Sequence, residues 1–116
     1  MKMSEEKLSD FLEERSRMDR KVLALADRTI KRLYSLDSAA YSAGAIPSGT
    51  KELLGLVASL VLRCDDCVAW HISRCREEGV GTRELVEALG IGMLVGGSIT
   101  IPHVRRALDL WDGPEA

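Results

Sequence analysis

The segment Leu53 to Leu62 constrains the fold most, because it offers almost no polar face: Leu53-Leu54-Gly55-Leu56-Val57-Ala58 is hydrophobic nearly all round. A helix of that kind belongs at the centre of a bundle. It is also only about half the length of a membrane span. Elsewhere apolar residues recur at helical spacing, and no segment shows convincing period-two alternation. The expectation is an all-α chain, a bundle of about five to six helices. At 116 residues the chain reads as one domain with a small core. Aromatic residues make up only 4%, so packing must come from Leu, Val, Ile and Ala.

Ser4 is a candidate cap for a first helix with Leu8, Phe11 and Leu12 on its buried face. A second helix fits Asp19 to about Leu36, with Met18, Val22, Leu25, Ala26, Thr29, Ile30 and Leu33 at helical spacing. Ser38 to Gly49, rich in Gly and Ser, reads as an irregular or partly helical connection, so that 1–46 holds the N-terminal helices and 47–112 the core. The third helix is expected from Ser48 or Thr50 to Leu62. A fourth runs from Cys64 or Asp65 to Glu78, with Gly79 as its stop. Thr82 is placed as the cap of a fifth that ends near Val95. A last helix follows Ser98 or Thr100, with Pro102 in its first turn, and ends near Trp111.

Sixteen basic and eighteen acidic residues leave a net charge of −2, which gives no electrostatic case for nucleic acid or an anionic membrane. The first residues, Met-Lys-Met-Ser-Glu-Glu-Lys, lack the apolar stretch of a signal peptide. A cytoplasmic location is therefore expected. In a reducing compartment C-x-x-C is more often catalytic or metal-binding than a structural staple.

Residues 63 to 71 read Arg-Cys-Asp-Asp-Cys-Val-Ala-Trp-His, so Cys64, Cys67 and His71 form C-x-x-C-x-x-x-H. On a helix, with roughly 100° per residue, the three share one stripe. Positions i and i+3 lie roughly 5–6 Å apart, inside the Cα window that a disulfide accepts. The thiolate is the reactive form, and both a helix N-terminus and an imidazole favour it. Helix-terminus logic activates Cys64, whereas proximity to His71 activates Cys67. Asp65 and Asp66 between them disfavour a thiolate, although acids suit the first turn of a helix.

With Glu52, the pattern becomes E-x(11)-C-x-x-C-x-x-x-H. This resembles the signature of the alkyl hydroperoxidase D and carboxymuconolactone decarboxylase family. The likeness runs from about Pro47 to Leu110. It takes in Thr50-Lys51-Glu52-Leu53-Leu54, Gly79 to Leu89, and Gly96-Gly97 followed by Pro102-His103. The resemblance implies an all-helical fold, a homotrimer or homohexamer, and peroxide reduction by the dithiol. Cys67 would attack a hydroperoxide and Cys64 would capture the sulfenic acid as a disulfide. Glu52 and His71 would relay the proton, and a dithiol reductant would supply electrons, with no flavin or nicotinamide cofactor. In one straight helix Glu52 and Cys64 would stand ~18 Å apart, so the relay demands a chain break near Arg63. A histidine found between the cysteines of some members is absent here.

Three rival readings accompany this one. The decarboxylase branch of the family generally lacks the cysteine pair, so its presence argues against a lactone decarboxylase. A non-enzymatic redox-sensing module predicts a reversible disulfide without turnover. Zinc on Cys64, Cys67, His71 and Cys75 would stretch its ligands over ~16 Å of helix, too far for one tetrahedral ion. Cys75 reads as a packed thiol, and Arg74, Arg76, Glu77 and Glu78 as a solvated face. His103 reads as structural or interfacial, Trp70 and Trp111 as packing or subunit contacts. The Gly90 to Gly97 segment reads as close helix packing that, with the third helix, lines a subunit interface.

Overall fold

The apolar run around Leu56 forms the central helix that its lack of a polar face demands. The computed structural model describes residues 3–114; Met1, Lys2, Glu115 and Ala116, the ends of the expected 1–116 domain, lie outside the described residues. In chain order the helices are α1 (Ser4–Leu25), α2 (Arg28–Ala40), α3 (Ser48–Val61), α4 (Asp65–Glu77), α5 (Thr82–Gly96) and α6 (Ile101–Leu110), with a 3-10 turn at Ser98–Thr100 before the last. No strand occurs among the described residues, and the fold is all-α.

Packing centres on α3, which lies against α4 and α5, while α1 and α6 close over the other side of α4. The core draws Leu56 and Leu60 from α3, Val68 and Ile72 from α4, Leu85 and Leu89 from α5, Leu8 from α1 and Ala107 from α6. Each large aliphatic side chain fully removed from water contributes about 1.5–3 kcal/mol. A Cβ on Gly92 would lie 2.8 Å from Leu60 Cδ2. The bare backbone there is what lets α5 seat against α3, so the packing expected of the α5 glycines occurs at Gly92 within one chain.

The N-terminal helices depart from the sequence reading. Asp19 does not open a second helix; α1 runs unbroken to Leu25, and the break falls at Ala26-Asp27. Asp27 is the cap, its carboxylate accepting from the Ile30 amide at 3.0 Å. Nothing between Ser16 and Asp19 stops a helix that has no Gly or Pro to interrupt it. Ser4 is likewise the first helical residue, with Met3 at the cap position. Moreover α2 buries none of its residues, and Leu33 and Leu36 are each 65% exposed. Helical spacing reports that a helix is two-sided, but it does not say what covers the apolar side.

Thr82 is also not a cap. Gly81 occupies that position and donates its amide to Glu84 Oε1 at 3.2 Å. The Thr82 hydroxyl instead ties down the C-terminal segment, donating to the Pro114 carbonyl and accepting from Trp111 Nε1.

Two helices end in the same closure. At the end of α4 the Val80 amide reaches back to the Cys75 carbonyl and the Gly79 amide to that of Arg76, with Gly79 at φ 75°. At the end of α3 the Cys64 amide reaches Ser59 and the Arg63 amide reaches Leu60, with Arg63 at φ 59°. These are paired Schellman motifs, one built on glycine and one on arginine. A non-glycine residue in the left-handed region carries a steric cost that glycine avoids. Arg63→Gly should therefore raise stability by about 0.5–1 kcal/mol, read as a higher denaturant midpoint with an unchanged m-value.

Candidate functional site

The left-handed turn at Arg63 reverses the chain and sets Cys64 at the N-cap of α4. Cys64 and Cys67 are joined as a disulfide with their Cα atoms 5.3 Å apart. The Cys67 amide donates to Cys64 Sγ at 3.3 Å, so this sulfur sits where the helix presents its unpaired amides and positive dipole end. The break demanded by the Glu52–Cys64 separation is present, and it folds α3 back alongside α4. That brings Glu52, early in α3, against His71, one turn beyond Cys67.

Glu52 and His71 are 3% and 6% exposed, and Glu52 Oε1 lies 2.9 Å from His71 Nδ1. An ionised carboxylate can only accept, so Nδ1 carries the proton and donates it. The second Glu52 oxygen lies 3.7 Å from Arg74 Nε, which gives this buried carboxylate a cationic partner. His71 Nε2 is left as the acceptor, and it faces the Tyr41 hydroxyl at 3.4 Å. Burial raises the Tyr41 phenol above its ordinary range, and the charges of Asp37 and Glu52 add to the effect. Tyr41 therefore remains a neutral donor. Glu52, His71 and Tyr41 form one polar chain across three segments.

Tyr41 follows α2 directly, and Lys51 fixes it there: Lys51 Nζ donates to the Ala40 carbonyl at 2.9 Å and the Ser42 carbonyl at 2.7 Å. Beside the polar chain opens a cleft of about 370 Å³, whose walls include Asp37, Tyr41, Glu52, Trp70 and Arg74. Arg15 of α1 stacks over the Trp70 ring at 3.6 Å. The floor of this arrangement is Gly55. A Cβ there would come within 2.6 Å of His71 Cε1 and 2.7 Å of the Tyr41 hydroxyl. An ordinary helical Gly→Ala change gains up to about 1 kcal/mol. Gly55→Ala should reverse that sign and destabilise by about 1–3 kcal/mol through overpacking, measurable in a denaturant melt.

The sequence model of the carboxymuconolactone decarboxylase family matches residues 28–110, a span that holds each of these groups except Arg15. The chain belongs to this family. A crystal structure of a Thermotoga maritima protein is 50% identical and superposes with a TM-score of 0.85, covering 87% of this chain and 89% of that one. A second structure of the Thermotoga protein, TM-score 0.83 over 87% of this chain and 86% of that one, describes it as a carboxymuconolactone decarboxylase family protein with a suggested involvement in antioxidative response. A Legionella pneumophila family protein, 24% identical, shares the fold with a TM-score of 0.83 over 90% of this chain and 94% of that one. An uncharacterised Cupriavidus necator protein is 31% identical over 78 residues, 67% of this chain and 69% of the relative.

In this family member the structure brings Glu52 and His71 into direct contact and joins Cys64 to Cys67. Sequence reasoning missed Tyr41, Lys51 and Gly55, and it set Arg74 among solvated charges. Arg74 does pair outward with Glu77 and Glu78, yet its guanidinium also faces Glu52. Its position three residues after His71 was the available signal, since i and i+3 share a helix face. Cys75 is fully buried in the core. Burial above all, with the Glu52 charge adding to it, pushes its thiol up to about 12, which leaves it inert. Among the described residues no three His, Cys, Asp or Glu side chains converge as a metal-binding set. No helix there is long and apolar enough to cross a membrane.

Proposed function

We propose that the protein is a thiol-dependent peroxidase that reduces alkyl hydroperoxides through a Cys64–Cys67 dithiol/disulfide cycle. The observation that carries this reading is the buried Glu52–His71 pair one helical turn beyond a cysteine pair close enough to bridge. In the reduced protein the Cys67 thiol passes its proton to the Glu52-backed imidazole, and the thiolate attacks the terminal peroxide oxygen. The O–O bond breaks, the departing alkoxide takes a proton, and Cys67 becomes a sulfenic acid. Cys64, its own proton passed to the relay, then attacks that sulfur as a thiolate and displaces hydroxide, which takes this second proton and leaves as water. Peroxide and dithiol thus become alcohol, water and the disulfide. A dithiol reductant, a protein or a small thiol, restores the pair by exchange and is itself oxidised.

The reading includes a homotrimer or homohexamer. The exposed apolar residues Met18, Leu25, Ile30, Leu33 and Leu36 along α1 and α2 support it, since an unpaired surface of this kind marks an interface. The test is organic hydroperoxide consumption by the reduced protein with excess dithiol. Catalytic turnover is the expected result. A disulfide that forms and breaks reversibly without peroxide loss would instead move the assignment to a disulfide carrier or redox sensor.

A further inference from the structure

Asp65 immediately follows Cys64 and is the first residue of α4, so the chain carries a carboxylate one residue from the thiol at the helix N-terminus. A negative charge there opposes the thiolate that the helix end favours. The structure does not leave that charge uncompensated. His103 Nδ1, from the first turn of α6, lies 2.7 Å from Asp65 Oδ1, and Arg106 Nε donates to Oδ2 at 2.9 Å. Arg106 Nη2 also approaches His103 Nδ1 at 3.2 Å. Two donors cannot hydrogen-bond each other, and the shorter contact is the one to the carboxylate, so Nδ1–H donates to Asp65 and the guanidinium completes a clamp. Both oxygens of the carboxylate are held by a helix whose contributing residues lie 38 and 41 positions away.

We infer that His103 and Arg106 are positioning residues for the dithiol, acting through Asp65 to hold the Cys64 thiolate in a reactive state. Partial burial by itself raises the Asp65 carboxyl. The hydrogen bonds from His103 and Arg106, with their charges, outweigh that and hold it below the usual carboxylate range, so Asp65 is ionised and the clamp is its counterweight. The surrounding charges are Asp66 on α4 and Asp109 on α6; both line an adjacent cleft of about 290 Å³ with Asp65 and Arg106, and Asp109 pairs with Lys7 of α1 at 2.8 Å. Arg63 precedes Cys64 in the chain; without the clamp, Asp65 would lose both donors that α6 brings to its carboxylate. The inference rests on the dithiol reading, in which the Cys64 thiolate closes the disulfide. It does not require that the disulfide come from a peroxide.

The experiment is the rate of iodoacetamide alkylation at neutral pH of the fully reduced protein, with the modified cysteine identified by peptide mass. A buried Cys75 leaves Cys64 and Cys67 as the reporters. The double variant H103N/R106Q should slow Cys64 alkylation roughly threefold, the scale of an exposed charge interaction. D65N should not slow it, and adding D65N to the double variant should restore most of the lost rate. A structural staple predicts something different: H103N/R106Q would lower the melting temperature, as D65N would, with Cys64 reacting at the wild-type rate. That result overturns the inference while leaving the dithiol cycle standing. Failure of the wild-type protein to form a reversible Cys64–Cys67 disulfide in a glutathione redox buffer would overturn both.

Discussion

Cys67→Ser should abolish hydroperoxide turnover, and Cys64→Ser should permit one turnover per subunit and then stop with a sulfenic acid on Cys67. The two thiols occupy different positions, which is why the variants separate. Cys67 lies within the first turn of α4, one turn before His71 and on its face, the position from which the proposed relay would take its proton. Cys64 is the N-cap residue, and its sulfur already receives the Cys67 amide, an arrangement that favours a thiolate ready to close the bridge. Serine retains size and loses nucleophilicity, so neither variant disturbs the core. The check is peroxide consumed per subunit, together with trapping of the sulfenic acid by a dimedone-type reagent and its mass. The opposite pattern, with Cys64→Ser dead and Cys67→Ser trapped, would assign the attack to Cys64.

Glu52→Gln should lower turnover by roughly 10²- to 10³-fold, within the range that positioned acid–base groups contribute. The substitution is nearly isosteric, and an amide oxygen can still accept from His71 Nδ1. What disappears is the charge that stabilises the imidazolium formed when Nε2 takes up a proton. Arg74, which faces the second Glu52 oxygen, also loses a partner, so a stability loss of about 1–3 kcal/mol is expected alongside. Arg74→Gln separates the two effects, since it disturbs the same carboxylate but leaves the Glu52–His71 contact in place. Turnover in Glu52→Gln equal to that of Arg74→Gln, at matched stability, would remove Glu52 from the proton relay.

How far the sequence could be read depended on whether the determining contact was local. The helix stops at Gly79 and the start at Pro102 depend on backbone preferences within a few residues, and they stand where expected. The break at Arg63 could be inferred because Glu52 had to return to the cysteines, even though arginine is an unusual residue for that turn. Asp19 misled because apolar residues keep helical spacing on both sides of it, and spacing alone does not say where one helix ends and the next begins. Tyr41 gave no local signal at all: it lies in an irregular connection and meets His71 only because Lys51 anchors the carbonyls on either side of it. The Asp65–His103 contact joins α4 to α6 through surface polar residues, whose spacing along either helix carries no trace of the other. Arg74 was the exception, readable in principle, because its role follows from sharing a face with His71.

Cys64 belongs to two helices at once. Its amide is spent on the Ser59 carbonyl that closes α3, and its carbonyl receives the Val68 amide in the first turn of α4. Making or breaking the sulfur bridge therefore changes a side-chain torsion in a backbone already fixed on both flanks. Oxidised and reduced forms should present nearly the same outline, with little reorganisation on passing between them. A reductant protein meeting this molecule would have to distinguish a spent subunit from a ready one by the chemistry of two sulfur atoms, because the contour around them stays the same.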